Sequence, residues 1–243
     1  MPATPAWPPR SLPRLFVEQA LGTGVAVPLE GKPAHYLANV LRMGEGDQLL
    51  LFDGQSGEWR ALIEGAAKKR LMLRVLEQVR PAESLPELTL AFAPVKRAPL
   101  EWLVEKATEL GVARLQPVVT QRTVVERMNP ERLAAIAIEA AEQCGRTRLP
   151  IIAEPVKLGH LLGSREKLLL FADETGGRPM LEVLAPGAAT ILTGPEGGFT
   201  PDERELILGA GAVGVSLGPR ILRAETAALA ALSVYMAGAG DWR

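Results

Sequence analysis

Leu192-Thr193-Gly194-Pro195-Glu196-Gly197-Gly198-Phe199-Thr200 follows the apolar run Ala189 to Thr193 and leads into Pro201 and Glu203. Thr200 with Glu203 three residues on is a capping box, and Pro201 suits a first helical position, so a helix is predicted to start there. The stretch is then a glycine-rich loop between the carboxyl end of a strand and the start of a helix. Ligands of open α/β sheets bind at that edge. Glycine permits positive φ and lets a ligand lie directly on the backbone, although the same residues also serve as a plain tight turn. Neither a dinucleotide fingerprint nor a P-loop is present, because the GxGxxG spacing and the Gly-Lys-Ser/Thr ending are both missing. Glu196 argues further against a phosphate ligand, which its carboxylate would repel.

Outward from this loop, short apolar runs alternate with helical patterns, the signature of a mostly parallel sheet covered on both faces. Strands are predicted at Leu88 to Ala93, Leu115 to Val119, Lys167 to Ala172, Ala189 to Thr193 and Val213 to Leu217. One helix opens at Pro99, carries Leu100, Leu103, Val104, Ala107 and Leu110 on a stripe, and stops at Gly111. Another has Asn129 as N-cap and Pro130 at its first position, and stops at Gly145. A polar stripe of Glu139, Glu142, Gln143 and Arg146 is expected on its other side. A second loop, Leu217-Gly218-Pro219-Arg220-Ile221-Leu222-Arg223, again joins a strand to a helix, which continues to about Met236. Apolar Ile221 and Leu222 between two arginines suit a ligand with an aromatic ring and polar edges.

The pattern changes at Arg80-Pro81-Ala82-Glu83-Ser84-Leu85-Pro86, where two prolines interrupt it. A boundary is placed there, giving domains 1–80 and 81–243. The first reads as a small β-barrel or sandwich with turns at Asp53-Gly54 and Ser56-Gly57 and one helix, His35 to Met43, presenting Leu37, Val40 and Leu41 on a common face.

Composition narrows the classes. The 243 residues are 47% hydrophobic and 23% charged, and no apolar run is long enough to span a bilayer. The Pro-rich start lacks the apolar centre of a signal peptide, so a cytoplasmic location is expected. A single cysteine, Cys144, with His35 and His160 as the two histidines, leaves no disulfide framework and no metal site in prospect. The net charge of −1 does not advertise a nucleic-acid partner, although residues 1–80 carry a small basic surplus with a cluster from Lys68 to Arg74.

Taken together, Gly194-Pro195-Glu196-Gly197-Gly198-Phe199 and Leu217-Gly218-Pro219-Arg220-Ile221-Leu222-Arg223-Ala224-Glu225-Thr226-Ala227 resemble the paired signatures of SPOUT-class methyltransferases that modify N3 of a uridine in 16S ribosomal RNA. The resemblance extends over nearly the whole chain. His35-Tyr36-Leu37, Val40-Leu41-Arg42 and Gly46-Asp47 resemble that family's N-terminal PUA-like RNA-binding domain. Lys96-Arg97, Glu105 to Val112, Arg122, Glu139-Ala140, Glu142-Gln143 and Arg146 resemble its middle segments.

The resemblance implies an α/β fold tied in a deep trefoil knot, a homodimer, S-adenosyl-L-methionine as cofactor, and 16S ribosomal RNA or the assembled small subunit as substrate. Cofactor contacts carry over to Phe171, Ala172, Thr193, Gly194, Glu196, Gly197, Leu217, Gly218, Ile221, Leu222, Thr226 and Ala227. Arg223 is expected to stabilise charge on the uracil carbonyls, with a salt bridge to Glu196 or Glu225 as its competing role. Glu196, Glu225 or water is expected to take the proton. Arg10, Arg14, Arg42, Lys96, Arg97, Arg122 and Arg146 are candidate RNA contacts. Competing readings are a SPOUT enzyme acting on transfer RNA and a non-catalytic RNA-binding assembly factor.

Overall fold

The computed structural model describes residues 12–67, 70–124, 128–163 and 168–242. Arg10, Lys68, Lys69 and Lys167 lie outside the described residues. The chain divides into two compact units. One is built from residues up to Glu83 together with Gly145–Arg148, the other from Ser84–Cys144 and Leu149–Arg243.

In the first unit β1 (Arg14–Phe16), β2 (Ala26–Glu30), β3 (Gln48–Phe52), β4 (Glu58–Ala67) and β5 (Arg70–Arg80) pair in the order β1-β3-β4-β5-β2. All pairings are antiparallel except β1 with β3. Alternation sets the core: Leu49 and Leu51, Ala61 and Ile63, and Leu71, Leu73 and Val75 all face inward. The β3–β4 turn is held by the Asp53 carboxylate, which accepts from Gln55 N (2.9 Å), Ser56 N (2.7 Å) and Ser56 Oγ (2.6 Å). Gly57 has φ 103°, and a Cβ there would strike the Arg80 to Ala82 backbone.

The helix between β2 and β3 begins earlier than its sequence suggests. α1 spans Gly31–His35 and continues as a π-helical turn over Tyr36–Val40, with Leu41 N donating to Tyr36 O at 3.0 Å. An i→i+5 turn changes the angular spacing of side chains. Leu37 therefore enters the core while Val40 is 59% exposed and Leu41 is also exposed, contrary to the common face expected for the three.

Two of the expected RNA contacts belong to this unit's interior. Arg14 Nε donates to Glu58 Oε1 at 2.6 Å, its Nη2 donates to Arg146 O at 2.7 Å, and its guanidinium lies 4.7 Å from the centre of the Phe52 ring. Arg80 takes the other Glu58 oxygen at 2.9 Å and donates to Gly145 O at 2.7 Å. Arg146 is buried and faces Glu83 at 3.5 Å. Helical spacing placed Arg146 on a surface stripe, but the helix ends at Cys144 and Gly145 turns away with φ 85°.

The second unit contains β6 (Leu88–Phe92), α2 (Arg97–Glu109), β7 (Arg114–Val119), α3 (Pro130–Cys144), β8 (Ile151–Ile152), β9 (Val156–Lys157), α4 (Leu158–Gly163), β10 (Leu168–Ala172), β11 (Arg178–Pro179), α5 (Met180–Val183), β12 (Ala189–Thr193), α6 (Pro201–Gly209), β13 (Val213–Ser216) and α7 (Ala224–Gly238). The sheet runs β11-β13-β10-β12-β6-β7-β8, with β9 on β7, and every pairing is parallel. Both faces are covered, which is why its strands read as unbroken apolar runs. Leu90, Leu170 and Ile191 point into one core with α2, α3 and α7, whereas Ala91, Leu169, Phe171 and Leu192 point into another with α4 and α6. Asn129 Oδ1 accepts from Arg132 N at 3.1 Å, the capping role expected of it. Among the described residues no helix is long and apolar enough to cross a membrane, and no group of three or more His, Cys, Asp or Glu could hold a metal ion.

Candidate active site

β13, β10 and β12 are neighbours in the sheet and parallel, so the loops after them emerge side by side at one edge. In the β12 loop, Gly198 N donates to Pro195 O at 2.9 Å and Gly198 takes φ 67°. The loop folds back so that the Phe199 ring stands edge-on to Phe171, 6.3 Å between centres. A Cβ on Gly194 would come within 3.1 Å of that ring. Glycine at 194 thus suits the close packing of the ring, and at 198 the backbone conformation calls for it.

Two side chains fasten this loop from outside. The Glu203 capping box forms as expected: Glu203 N donates to Thr200 Oγ1 at 3.2 Å, and Thr200 N donates to Glu203 Oε2 at 3.0 Å. The buried carboxylate's other oxygen accepts from Gln121 N at 2.7 Å, tying the loop after β7 to the start of α6. Arg122, an expected RNA contact, is exposed and donates to the carbonyls of Gly197 (2.5 Å) and Phe199 (3.4 Å).

The β10 loop has a lock that the sequence did not reveal. Asp173 is buried; the Arg204 guanidinium reaches its Oδ2 at 2.8 Å and its Oδ1 at 3.2 Å, and Thr175 donates to Oδ1 through Oγ1 (2.7 Å) and N (3.1 Å). Burial pushes the Asp173 carboxyl up, but the hydrogen bonds from Arg204 and Thr175 outweigh it and hold the group below its ordinary value. A carboxyl depressed in the folded chain stabilises it above the unfolded value, and that contribution is lost as pH falls through the lower folded one. The partners are 31 residues apart. The available signal was position: Asp173 stands just past a strand end, as the other two loops do. Glu174 beside it packs its carboxylate against Gly198, joining the first and second loops.

Between the three loops lies a cleft of about 700 Å³. Phe171 and Ala172 from β10, Thr193, Gly194 and Glu196 from the β12 loop, and Leu217, Gly218, Ile221, Leu222 and Ala227 from the β13 loop and α7 line it, together with Arg223 and Glu225. Gly197 and Thr226 do not: Gly197 is turned toward Arg122, and Thr226 is exposed on α7. Asp173, Arg204 and Ser216 line the cleft in addition to the residues expected. Arg223 is the N-cap residue of α7, exposed, and forms no ion pair with Glu196 or Glu225. Lys96 reaches the cleft. Arg97 is paired with Glu101 at 2.8 Å on the exposed side of α2, and Arg42, in the first unit, is exposed with φ 57°.

This geometry, three parallel-strand loops around one cleft, has a counterpart in known proteins. A family model for the RNA methyltransferase domain matches residues 82–236, and one for the RNA methyltransferase PUA domain matches residues 29–76. The chain belongs to the RNA methyltransferase family. Its relatives include the Ribosomal RNA small subunit methyltransferase E of Rickettsia conorii, 35% identical over 90% of this chain and 93% of that one. The protein of the same name from Synechocystis is 38% identical over 90% and 76%. The crystal structure of the Ribosomal RNA small subunit methyltransferase E from Neisseria gonorrhoeae bound to S-adenosyl methionine matches with a TM-score of 0.87. Its identity is 29%, over 96% of this chain and all of that one.

In this methyltransferase Glu203 fixes the start of α6 and, through Gln121, the loop that carries Arg122. Glu203→Ala is expected to lower stability by ~1–3 kcal/mol, because it leaves two backbone donors without their acceptor. It should also weaken binding of the cleft's ligand about tenfold. Titration calorimetry checks this, and unchanged affinity would show that Glu203 does not position the loop.

Proposed function

We propose that this methyltransferase moves the methyl group of S-adenosyl-L-methionine to N3 of a uridine in 16S ribosomal RNA, free or within the small subunit, as a cytoplasmic homodimer. The observation that carries the reading is the shared cleft of the three loops, in a chain that resembles relatives named for small-subunit ribosomal RNA over nine-tenths of its length. The residues present fit the cofactor. Leu217 and Leu222 offer an apolar wall for a purine, Gly194 and Gly218 present backbone polar groups without a side chain, and Glu174, Glu196 and Glu225 place negative charge where a cation would sit.

When bound, S-adenosyl-L-methionine supplies an electrophilic methyl on positively charged sulfur, which leaves as a neutral thioether as the bond to N3 forms. The chain's own groups do the rest. The three loops fix the direction of approach, and positioning of this kind removes much of a transfer barrier. Arg223, fixed at the head of α7, directs a planar cationic fork at the uracil O2 or O4 as negative charge grows there. Glu196 or Glu225 accepts the N3 proton, directly or through water; both line the cleft.

A deep trefoil knot belongs to the same reading and is supported by α7, which packs against β6, β10 and β12 after leaving the third loop. Pulled from both termini, a knotted chain should extend to less than the ~3.3–3.6 Å per residue of a free one. Exposed apolar side chains such as Leu181 (67%) and Trp242 (54%) support a dimer. Calorimetry should find one S-adenosyl-L-methionine site per chain, and light scattering twice the 26.0 kDa chain mass. A chain that binds no S-adenosyl-L-methionine is not this enzyme, and a monomer contradicts the dimer.

A further inference from the structure

Ile221 was expected in the cofactor's wall, yet it is 79% exposed, the highest value among the exposed large apolar side chains of the described residues. It stands in the β13 loop at the cleft, one residue after Arg220 and two before Arg223. Leu222, its neighbour, is half-buried and lines the same cleft. Arg220 and Arg223 are exposed, and so is Lys96 where it reaches the cleft. None of these three cations forms a hydrogen bond or ion pair within the described residues. An apolar side chain is thus held in water at the cleft among cations that no carboxylate of the described residues neutralises, although Glu196 and Glu225 line the same cleft.

Surface arginines and lysines at such density usually find acidic partners, and an isolated isoleucine gains nothing by standing out between them. The cleft's carboxylates, Glu196 exposed and Glu225 half-buried, suit a cation. The exposed guanidinium and ammonium groups of this rim, which pair with no carboxylate of the described residues, suit a polyanion, and the isoleucine suits something flat and apolar within that polyanion. RNA is the polymer that carries both, phosphates along its backbone and a base face between them. N3 lies on the pairing edge of uracil, so a base must leave its helix or stack before that edge can face the cleft. Its exposed face, or the gap it leaves, then needs cover.

Resting on the function proposed above, we infer that Ile221 is a substrate residue and not a cofactor residue. It covers the face of the displaced uridine or of the base next to it, while Arg220 and Lys96 hold the adjoining phosphates. Two segments far apart in sequence form this rim, the end of the β13 loop and the residue preceding α2. Both lie in the second unit. Covering an isoleucine that is otherwise exposed contributes about tenfold or more in affinity.

The test uses the full chain with Ile221→Ala, Ile221→Val and Arg220→Ala, and a small-subunit ribosomal RNA fragment as probe. Affinity for the RNA is read without cofactor by fluorescence anisotropy, and affinity for S-adenosyl-L-methionine separately by calorimetry. Ile221→Ala should weaken RNA binding about tenfold and raise KM for RNA likewise, with cofactor affinity and thermal midpoint unchanged; Ile221→Val should restore most of the loss. Arg220→Ala should weaken RNA binding and reduce the slope of affinity against salt by about one counterion.

A fall in cofactor affinity for Ile221→Ala returns the residue to the cofactor wall and overturns the inference. Dissociation of a dimer by the same variant assigns Ile221 to a second copy of the chain and overturns it too, as does unchanged RNA affinity. If the unaltered chain binds RNA but transfers no methyl group, the proposed reaction fails. A tenfold loss of RNA binding in Ile221→Ala would still establish the contact.

Discussion

Arg223→Ala is expected to lower kcat for methyl transfer about 10²–10³-fold, the loss typical when one fixed donor to a developing oxyanion is removed. Affinity for S-adenosyl-L-methionine should stay within about twofold, since the contacts proposed for the cofactor come from other residues. Structure sharpens the reason. Arg223 has extended backbone (φ −64°, ψ 154°) and its carbonyl starts α7 by accepting from Ala227 N at 2.8 Å, so its position is set by the helix start and not by its side chain. Among the described residues the side chain pairs with no carboxylate, although Glu196 and Glu225 both line the cleft. It is therefore available, always charged, and anchored at a rigid point. Arg223→Lys should recover only part of the rate, because an ammonium lacks the planar fork. A rate unchanged in Arg223→Ala would place charge stabilisation elsewhere, and a collapse of cofactor affinity would make Arg223 a binding residue.

The second large effect lies in the first unit and concerns stability. Glu58 is 2% exposed, with one oxygen on Arg14 and the other on Arg80. Both arginines also donate to carbonyls of the Gly145–Arg148 segment, so this carboxylate joins the two cations that hold the segment. Glu58→Ala removes this charge and is expected to destabilise the first unit by ~3–5 kcal/mol, the usual consequence of breaking a buried pair from one side. Glu58→Gln should cost less, since it keeps an acceptor. Denaturant unfolding followed at Trp59, in the same strand, reads the change. A loss below about 1 kcal/mol would show that the pair is no stronger than one at the surface.

What could be read from the sequence follows from the range of the forces involved. Strands buried on both faces announce themselves as apolar runs, and β6, β7, β12 and β13 stand within a residue of their expected bounds. Caps are local, so Thr200 with Glu203 and Asn129 behave as their sequence indicates. Two of the cleft-forming loops, after β12 and β13, were visible because glycine, proline and a strand end coincide, whereas the β10 loop entered only through the resemblance. Charged residues were the failures. Arg14 looks like any surface arginine until Glu58, 44 residues away, and the Arg146 carbonyl, 132 residues away, are seen beside it. Asp173 and Arg204 pair across 31 residues with nothing local to join them. Arg122 keeps the exposed position expected of it, and what the sequence did not announce is its bond to the Gly197 carbonyl, 75 residues away. Side-chain periodicity also failed where a π-turn replaced an α-turn, at Val40 and Leu41.

The identity of the product decides the proposed function. The chain, S-adenosyl-L-methionine and small-subunit ribosomal RNA, free and as assembled particles, would be incubated together and the RNA digested to nucleosides for mass spectrometry. The expected product is 3-methyluridine, at one site, in at least one of the two substrates. Absence of any new methylated nucleoside, or methylation of a ribose or of a different base, would contradict it.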